Sequence, residues 1–250
     1  MSEKISIIVP TSRRPDLLRE ALFSVANQVV RPSEVVIVCD SCDPISMAGI
    51  RCDFQTRRLI CDRPLGASAA RNMGARAATG EWLAFLDDDD WWLPEYLSAL
   101  RQATERSRLD VICTSFLAAD HRGIFPEKAA PADLSKADFF SSNPGFRGSN
   151  LFIRRSVFLE LGGFAENLPA FNDVDLGLRL SASPGLRYLG IAERMVVFRN
   201  HTGPRLTRRH SGYVRAALPQ FLARHGHAMT LSQGRAFAMR LKRLWSIDCQ

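Results

Sequence analysis

Three stretches of strand length are almost wholly apolar, and each runs directly into a polar or acidic end. Ile5 to Pro10 leads into Thr11, Glu34 to Cys39 into Asp40, and Trp82 to Leu86 into Asp87, Asp88, Asp89 and Asp90. A continuous apolar run of this length reads as a strand buried on both faces, so its sheet must carry helices above and below. The intervals supply them. Leu17, Leu18, Ala21, Leu22 and Val25 recur at helical spacing behind Pro15, whose missing N–H costs little in a first turn. Gly66 to Thr79 is alanine-rich and helical until Gly80 breaks it, and Arg57 to Cys61 reads as one more strand, ending at Asp62. This alternation predicts a doubly wound α/β sheet.

The pattern continues with a helix from Pro94 to about Arg106 and a strand around Val111 to Ser115. The chain then reads as irregular as far as Gly148-Ser149-Asn150, and resumes as a strand at Leu151 to Ile153 and a helix around Val157 to Leu161. Gly162-Gly163 ends that helix, and Asn172 opens another over Asp173 to Leu180. Tyr213 to Arg224 and Leu231 to Trp245 read as two basic helices with Leu, Phe and Met along one side. With 250 residues and 46% hydrophobic content there is material for one large core, so the expected organisation is one domain over residues 1–210 and a basic helical appendage over 211–250.

Charge is unevenly placed. Residues 199–250 hold ten Lys/Arg against the single acid Asp248, which leaves the rest of a chain of formal charge +7 at −2. Such a tail suits anionic lipid head groups, a diphosphate, nucleic acid or plain solvent, and composition does not choose among them. No basic motif interleaved with aromatics points to nucleic acid, and none is expected as a partner. The apolar sides of the two helices suit peripheral contact with a membrane, docking on the domain, or a second subunit. No segment approaches the ~20 apolar residues that a bilayer requires, and the opening MSEKISIIVP lacks the length and cleavage region of a signal peptide. The expected location is cytoplasmic, with peripheral contact at the inner face of the membrane as an extension.

The six cysteines, Cys39, Cys42, Cys52, Cys61, Cys113 and Cys249, contain one pair at metal-ligand spacing, Cys39 and Cys42, but no second close pair to complete a site. Cys39 and Cys61 end apolar runs, where a reduced cysteine serves as a small buried hydrophobe.

In open α/β sheets, ligands collect outside the carboxyl ends of the strands, where Asp40 and Asp87 fall. Buried carboxylates are costly without partners, so acids in these places are poor core material. Four consecutive aspartates cannot all ionise close together without compensation. A divalent cation, Mg²⁺ or Mn²⁺, held by carboxylate oxygens and substrate phosphates would supply it. The alternative is a solvated acidic turn capping the following helix. Trp91 and Trp92 read as core in either case.

Four segments in order, ISIIVPTSRRPDLLREAL, VVIVCDSCD, GASAARNMGARAATGEWLAFLDDDD and GGFAENLPAFNDVDLGLRL, resemble the landmarks of glycosyltransferase family 2 over roughly residues 4 to 205. The resemblance implies a GT-A fold, a Rossmann-like mixed sheet flanked by helices. It also implies a nucleotide-diphosphate sugar donor, a divalent metal (Mn²⁺ or Mg²⁺) and inversion at the anomeric carbon. Position by position, Pro10 and Thr11 would line the base and ribose pocket, Asp40 would hydrogen-bond the base, and Arg71 would support it. A carboxylate accepting from an imino N–H suits uracil or thymine, so UDP-sugars come first. In the family's DxD motif Asp87 would meet ribose or metal-bound water, Asp88 would fill the variable position, and Asp89 would ligate the metal. Asp90 is left as a helix cap or support.

Asp173 takes the position of the family's catalytic base, the aspartate of a Glu-Asp pair, with Asn172 in place of the glutamate. Read without the family, Asn172 and Asp175 look like a capping box, with Asp173 favouring the helix dipole. Asn150 and Asn172 are the candidate acceptor contacts. His201 is a candidate metal contact, and Arg205, Arg208 and Arg209 are candidate diphosphate clamps. The Gln-x-x-Arg-Trp type signature of processive relatives is absent, which favours transfer of a single sugar. The expected activity is transfer of one sugar to a saccharide, lipid-linked or small-molecule acceptor, in surface polysaccharide, glycolipid or natural-product synthesis. The rival is a degenerate GT-A domain that binds nucleotide-sugar or glycan without catalysis.

Overall fold

Strand β1 (Ile5–Thr11) is buried along its whole length, and its alternate side chains enter two different cores. Ile5, Ile7 and Val9 join the apolar cluster on one face of the sheet and Ile8 joins the cluster on the other. This is the two-sided burial that the continuous apolar run predicts. The computed structural model describes residues 3–41, 54–200 and 212–247.

Helix α1 (Pro15–Ala26) covers the first face through Leu18, Ala21, Leu22 and Val25. Strand β2 (Glu34–Cys39) pairs in parallel with one side of β1, and β3 (Gln55–Ile60) extends the sheet beyond it. Helix α2 (Ala67–Ala77) then crosses the second face, and β4 (Trp82–Phe85) pairs in parallel with the other side of β1. Gly74 permits the crossing: a Cβ there would lie 2.5 Å from Cγ2 of Ile8, so only a glycine lets α2 approach β1 this closely.

Beyond β4 the sheet becomes mixed. The two-residue β5 (Trp91–Trp92) and α3 (Tyr96–Arg106) lead into β6 (Val111–Asp120), and β8 (Leu151–Arg154) inserts antiparallel between β4 and β6. Strand β9 (Tyr188–Arg199) runs parallel to β6 and antiparallel to β5. The order is β3-β2-β1-β4-β8-β6-β9-β5, with β7 (Gly123–Pro126) paired to β6. Trp92 is buried and stacks on Tyr96 at 4.3 Å, in keeping with its reading as core.

The segment read as irregular after Ser115 is partly ordered. Strand β6 runs on to Asp120, turns where Asp120 accepts from the backbone N–H of Arg122 at 2.8 Å, and returns as β7. Helix α4 (Lys136–Ser141) follows, burying Phe139 and Phe140. The return strand β7 is four residues long and mostly exposed, too short to carry a pattern of its own. Strand β9 escapes sequence reading for a related reason: its middle is polar, and its pairing with β6 is interrupted by an irregularity around Ser115.

Helix α5 (Arg155–Glu160) and α6 (Asn172–Ser181) close the second face. Helices α7 (Gly212–His225) and α8 (Leu231–Trp245) pack onto the same core through Val214, Ala217, Phe221, Phe237, Leu241 and Trp245. Of the readings open for their apolar sides, docking on the domain accounts for these residues, while Leu231, Met239 and Leu244 stay exposed. Cys39, Cys61 and Cys113 are buried and take part in no disulfide among the described residues, and Cys42, Cys52 and Cys249 lie outside those residues. Among the described residues no helix is long and apolar enough to cross a membrane.

Candidate active site

Strands β1, β2 and β3 are laid down in sequence to one side, and β4 returns on the other side of β1, so strand order reverses between β1 and β4. The carboxyl ends of strands at such a point diverge and leave a crevice. A cleft of about 480 Å³ opens there. Pro10, Thr11, Asp40, Arg71, Asp87, Asp88, Asp89, Asn172 and Asp173 all line it, joined by Arg14, Phe198 and Tyr213.

Asp40, at the end of β2, is held by the loop that starts α2. Its two carboxylate oxygens accept from the backbone N–H groups of Leu65 (2.5 Å) and Gly66 (2.8 Å). Each oxygen keeps a second lone pair, so the carboxylate is fixed in place yet still able to accept from a ligand. Thr11 donates its hydroxyl to Asp88 at 2.7 Å and thereby ties the end of β1 to the acidic run after β4. Asp88 therefore has a specific structural partner and is more than the variable position of a motif. Burial pushes its carboxyl up to about 6, against the opposing pull of Arg14 and the Thr11 hydroxyl.

Each of the other three aspartates has its own anchor. Arg71 donates to Asp87 through Nε (3.2 Å) and Nη2, and the Asp87 N–H donates to Oγ of Ser149 (3.1 Å). Ser149 donates that hydroxyl to Asp90 at 2.6 Å, and the Arg199 backbone N–H donates to the other Asp90 oxygen at 3.1 Å. Burial, with Asp89 and Asp87 adding to it, drives the Asp90 carboxyl well above the usual range. Asp89 meets Nη1 of Arg14 at 3.1 Å, and the same nitrogen lies 3.4 Å from Asp88. Arg13, just before it, sits at φ 55°, a conformation a non-glycine residue rarely adopts. The sequence reading had not assigned Arg14, Ser149 or Arg199 to the site. Their partners are distant in sequence, and the small polar triplet Gly148-Ser149-Asn150 was the one visible signal.

Arg71 differs from its expected place. Its guanidinium is buried, committed to Asp87 and stacked 5.2 Å from the Phe164 ring, so it supports the acidic run and makes no contact with Asp40. It also bears on Asp173. Burial raises the Asp173 carboxyl to about 6, against Arg71, Arg147 and the backbone of Gly148, which lower it, and with Asp87 raising it further. A carboxylate half-buried among cations and one like charge is poised to gain or lose a proton near neutrality.

Asn172 is the first residue of α6, and no cap forms there: the N-cap position belongs to Phe171. The Asn172 amide donates to Ser68 Oγ at 2.7 Å and the Leu168 carbonyl at 3.3 Å, which ties α6 to α2 beside the cleft. Asp175 is not a capping partner either. It is wholly buried, accepting from Arg179 at 2.6 Å and meeting Nε2 of His225 at 2.9 Å. Asn150, expected against an acceptor, is fully buried and does not line the cleft. Its side chain serves the backbone, accepting from Arg147 N–H (2.9 Å) and donating to the Thr114 (2.6 Å) and Gly145 (2.9 Å) carbonyls. His201, Arg205, Arg208 and Arg209 lie outside the described residues.

The C-terminal helices pack behind the start of α6, where Asp173 lies. Phe171, two residues before Asp173, is held at φ 64° in a cage of Phe221 (5.0 Å), Phe237 (6.0 Å) and Trp245 (5.6 Å). The strain of that backbone is offset by aromatic packing that α7 and α8 provide.

Whether these residues suit a divalent cation can be judged from the donor set. One carboxylate oxygen from each of Asp87, Asp89 and Asp90 falls within 4.8 Å of the others, and hard oxygen donors are what Mg²⁺ and Mn²⁺ take. Both oxygens of Asp90 already accept hydrogen bonds, so Asp87 and Asp89 are the better placed ligands and Asp90 adds charge behind them.

Comparison with known proteins agrees with this arrangement. Residues 6–162 match the family model described as Glycosyl transferase family 2. An uncharacterized glycosyltransferase of Haemophilus influenzae is 26% identical over 208 residues, covering 79% of this chain and 69% of that protein. The O-antigen biosynthesis protein RfbC of Myxococcus xanthus is 30% identical over 218 residues, covering 78% of this chain and 17% of that much longer protein. Among solved structures, S. aureus TarS in complex with UDP-GlcNAc superposes with a TM-score of 0.72 at 20% identity, covering 98% of this chain and 73% of that one. With the mixed sheet, the strand-end acids and the family match in agreement, this chain belongs to glycosyl transferase family 2 and is a glycosyltransferase of GT-A fold.

Proposed function

We propose that the cleft binds a nucleoside-diphosphate sugar, UDP-linked in the first instance, and passes one sugar with inversion to a hydroxyl deprotonated by Asp173. The observation that carries this reading is the placement of Asp173 in the same cleft as the acidic run, separated from Asp87 by the buried Arg71. A base and a leaving-group site lining one cavity suit a single displacement at a carbon held between them.

Pro10, Thr11 and Asp40 are the nucleoside contacts in this reading, with Asp40 accepting from the imino N–H of uracil. Asp87 and Asp89 would hold a divalent cation, whose chemistry is Lewis-acid stabilisation of the charge that grows on the departing diphosphate. Arg14, near Asp88 and Asp89, is exposed enough to turn toward that phosphate. Asp173 takes the acceptor proton, and Arg71 and the backbone of Gly148 favour its ionised form. The UDP-GlcNAc bound to TarS supports a UDP-sugar donor, and the name of RfbC supports a saccharide acceptor.

Calorimetric titration with UDP, with and without Mn²⁺, tests the donor half of this reading. Binding is expected to tighten at least about tenfold with the cation, a difference of about 1.4 kcal/mol. Equal affinity in both conditions would remove the metal from the donor site.

A further inference from the structure

Beside the base lies a group of cations that the donor site does not use. Arg147 acts electrostatically on Asp173, and its guanidinium is sandwiched between Phe116 (5.1 Å) and the cleft-lining Phe198 (4.1 Å). Its Nη1 is buried and meets no protein acceptor. Lys128, exposed at the surface, reaches the same loop through the Asn143 carbonyl (2.5 Å) and Ser142 Oγ (3.1 Å). Arg240 of α8 approaches from below, 5% exposed, donating Nη1 to the Phe139 carbonyl at 2.8 Å while its Nε meets no protein acceptor.

The hydrogen bonds of Lys128 and Arg240 are to neutral oxygens, which leave those two charges uncompensated. Among the described residues the one carboxylate at ion-pair distance is Glu127, 3.8 Å from Arg147, and neither Lys128 nor Arg240 has such a partner. The cations feel one another. Burial lowers the Lys128 ammonium from its ordinary range and Arg240, Arg147 and Arg243 lower it further, against the pull of Glu127 alone. Burial, and then Arg243, brings the Arg240 guanidinium down to about 10. Two guanidinium N–H groups without acceptors and an exposed ammonium gathered around the segment of residues 139–147 are donors that a compact oxyanion would satisfy through charge-assisted hydrogen bonds.

We propose that Lys128, Arg147 and Arg240 form an anion subsite next to the base, which takes a phosphate or similarly compact oxyanion carried by the acceptor close to its attacking hydroxyl. The placement rests on the reading of Asp173 as the base. It makes acceptors that bear a phosphate the preferred class, because such a group docked here would bring a neighbouring hydroxyl toward Asp173.

The test is titration of the full chain, saturated with UDP and Mg²⁺ so that the donor's phosphate contacts are filled, with inorganic phosphate as probe. One phosphate per chain is expected, with affinity that weakens as salt rises and drops at least about tenfold in Lys128→Gln, recovering in Lys128→Arg. A melting curve for each variant separates loss of the subsite from loss of the fold. Glycerol 3-phosphate and phosphatidylcholine vesicles carrying phosphatidic acid then tell whether the oxyanion is accepted in solution or on a lipid, and Lys128-dependent binding of either supports the subsite. Absence of phosphate binding in a protein that still binds UDP overturns it, as does phosphate binding that both Lys128→Gln and Arg240→Met leave unchanged. Failure of UDP to bind would count against the donor reading, and the phosphate titration without UDP would still decide the subsite.

Discussion

Asp173→Asn is expected to lower kcat by about 10² to 10⁴, the range that a positioned general base contributes, while UDP affinity stays within about twofold. The asparagine keeps the shape of the side chain, but it cannot take a proton. A loss confined to kcat separates a base from a residue that merely shapes the pocket; an equal loss in UDP affinity would assign Asp173 to donor binding. The pH profile gives a second readout. With the folded pKa raised from 3.8 to about 6, the carboxylate is the working form, so kcat/KM of the wild type should fall as pH drops through about 6. The same shift has the opposite sign for stability. A carboxyl whose folded pKa is raised binds its proton more tightly in the folded state, so Asp173 costs stability progressively as pH rises from about 4 to about 6, and the cost remains above that. Asp173→Asn should therefore melt at a higher temperature than the wild type at pH 7 to 8, even as it loses turnover.

Asp89→Ala is expected to abolish metal-dependent turnover, with kcat/KM reduced by about 10³ or more, as befits loss of charge stabilisation at the leaving group. Asp87, Asp88 and Asp89 line the cleft, and Asp89 is the half-buried one that meets Arg14, whereas Asp88 and Asp90 are buried and bonded to Thr11 and Ser149. Its removal leaves the Thr11–Asp88 and Ser149–Asp90 bonds in place. Steady-state rates across a series of Mn²⁺ and Mg²⁺ concentrations provide the check. Recovery of the wild-type rate at raised metal would reduce Asp89 to a minor contact, and an unchanged rate without metal would take the cation out of the mechanism.

The parts of the fold that follow from burial on both faces of a strand were legible in the sequence. Ile5 to Pro10, Glu34 to Cys39 and Trp82 to Leu86 could be little else, and once they are parallel neighbours, Asp40 and the Asp87 to Asp90 run must share one end of the sheet. What escaped reading depends on contacts between distant residues. Ser149, which links Asp87 to Asp90, and Arg199, whose backbone N–H reaches Asp90, lie 59 and 109 residues from that partner. Arg71 lines the expected cleft, but its bond to Asp87 was not legible, because the position of a residue on a helix shows which face its side chain takes and not which carboxylate it meets. Asn150 and Asn172 look alike in sequence as polar residues near a strand or helix start; one proved to be a buried strut and the other a cleft-lining tie to Ser68. The left-handed Phe171 carries no sequence mark at all, since a phenylalanine tolerates that backbone only inside the cage that α7 and α8 build around it.

The central claim, inverting transfer from a nucleotide-sugar at this cleft, is tested most directly by proton NMR of the first sugar released when the enzyme slowly hydrolyses a UDP-α-sugar with Mg²⁺ and no acceptor. A single displacement with water in the acceptor's place predicts that the β anomer appears first, followed by mutarotation, and that Asp173→Asn suppresses its release. Initial release of the α anomer would contradict the inverting mechanism and the role given to Asp173.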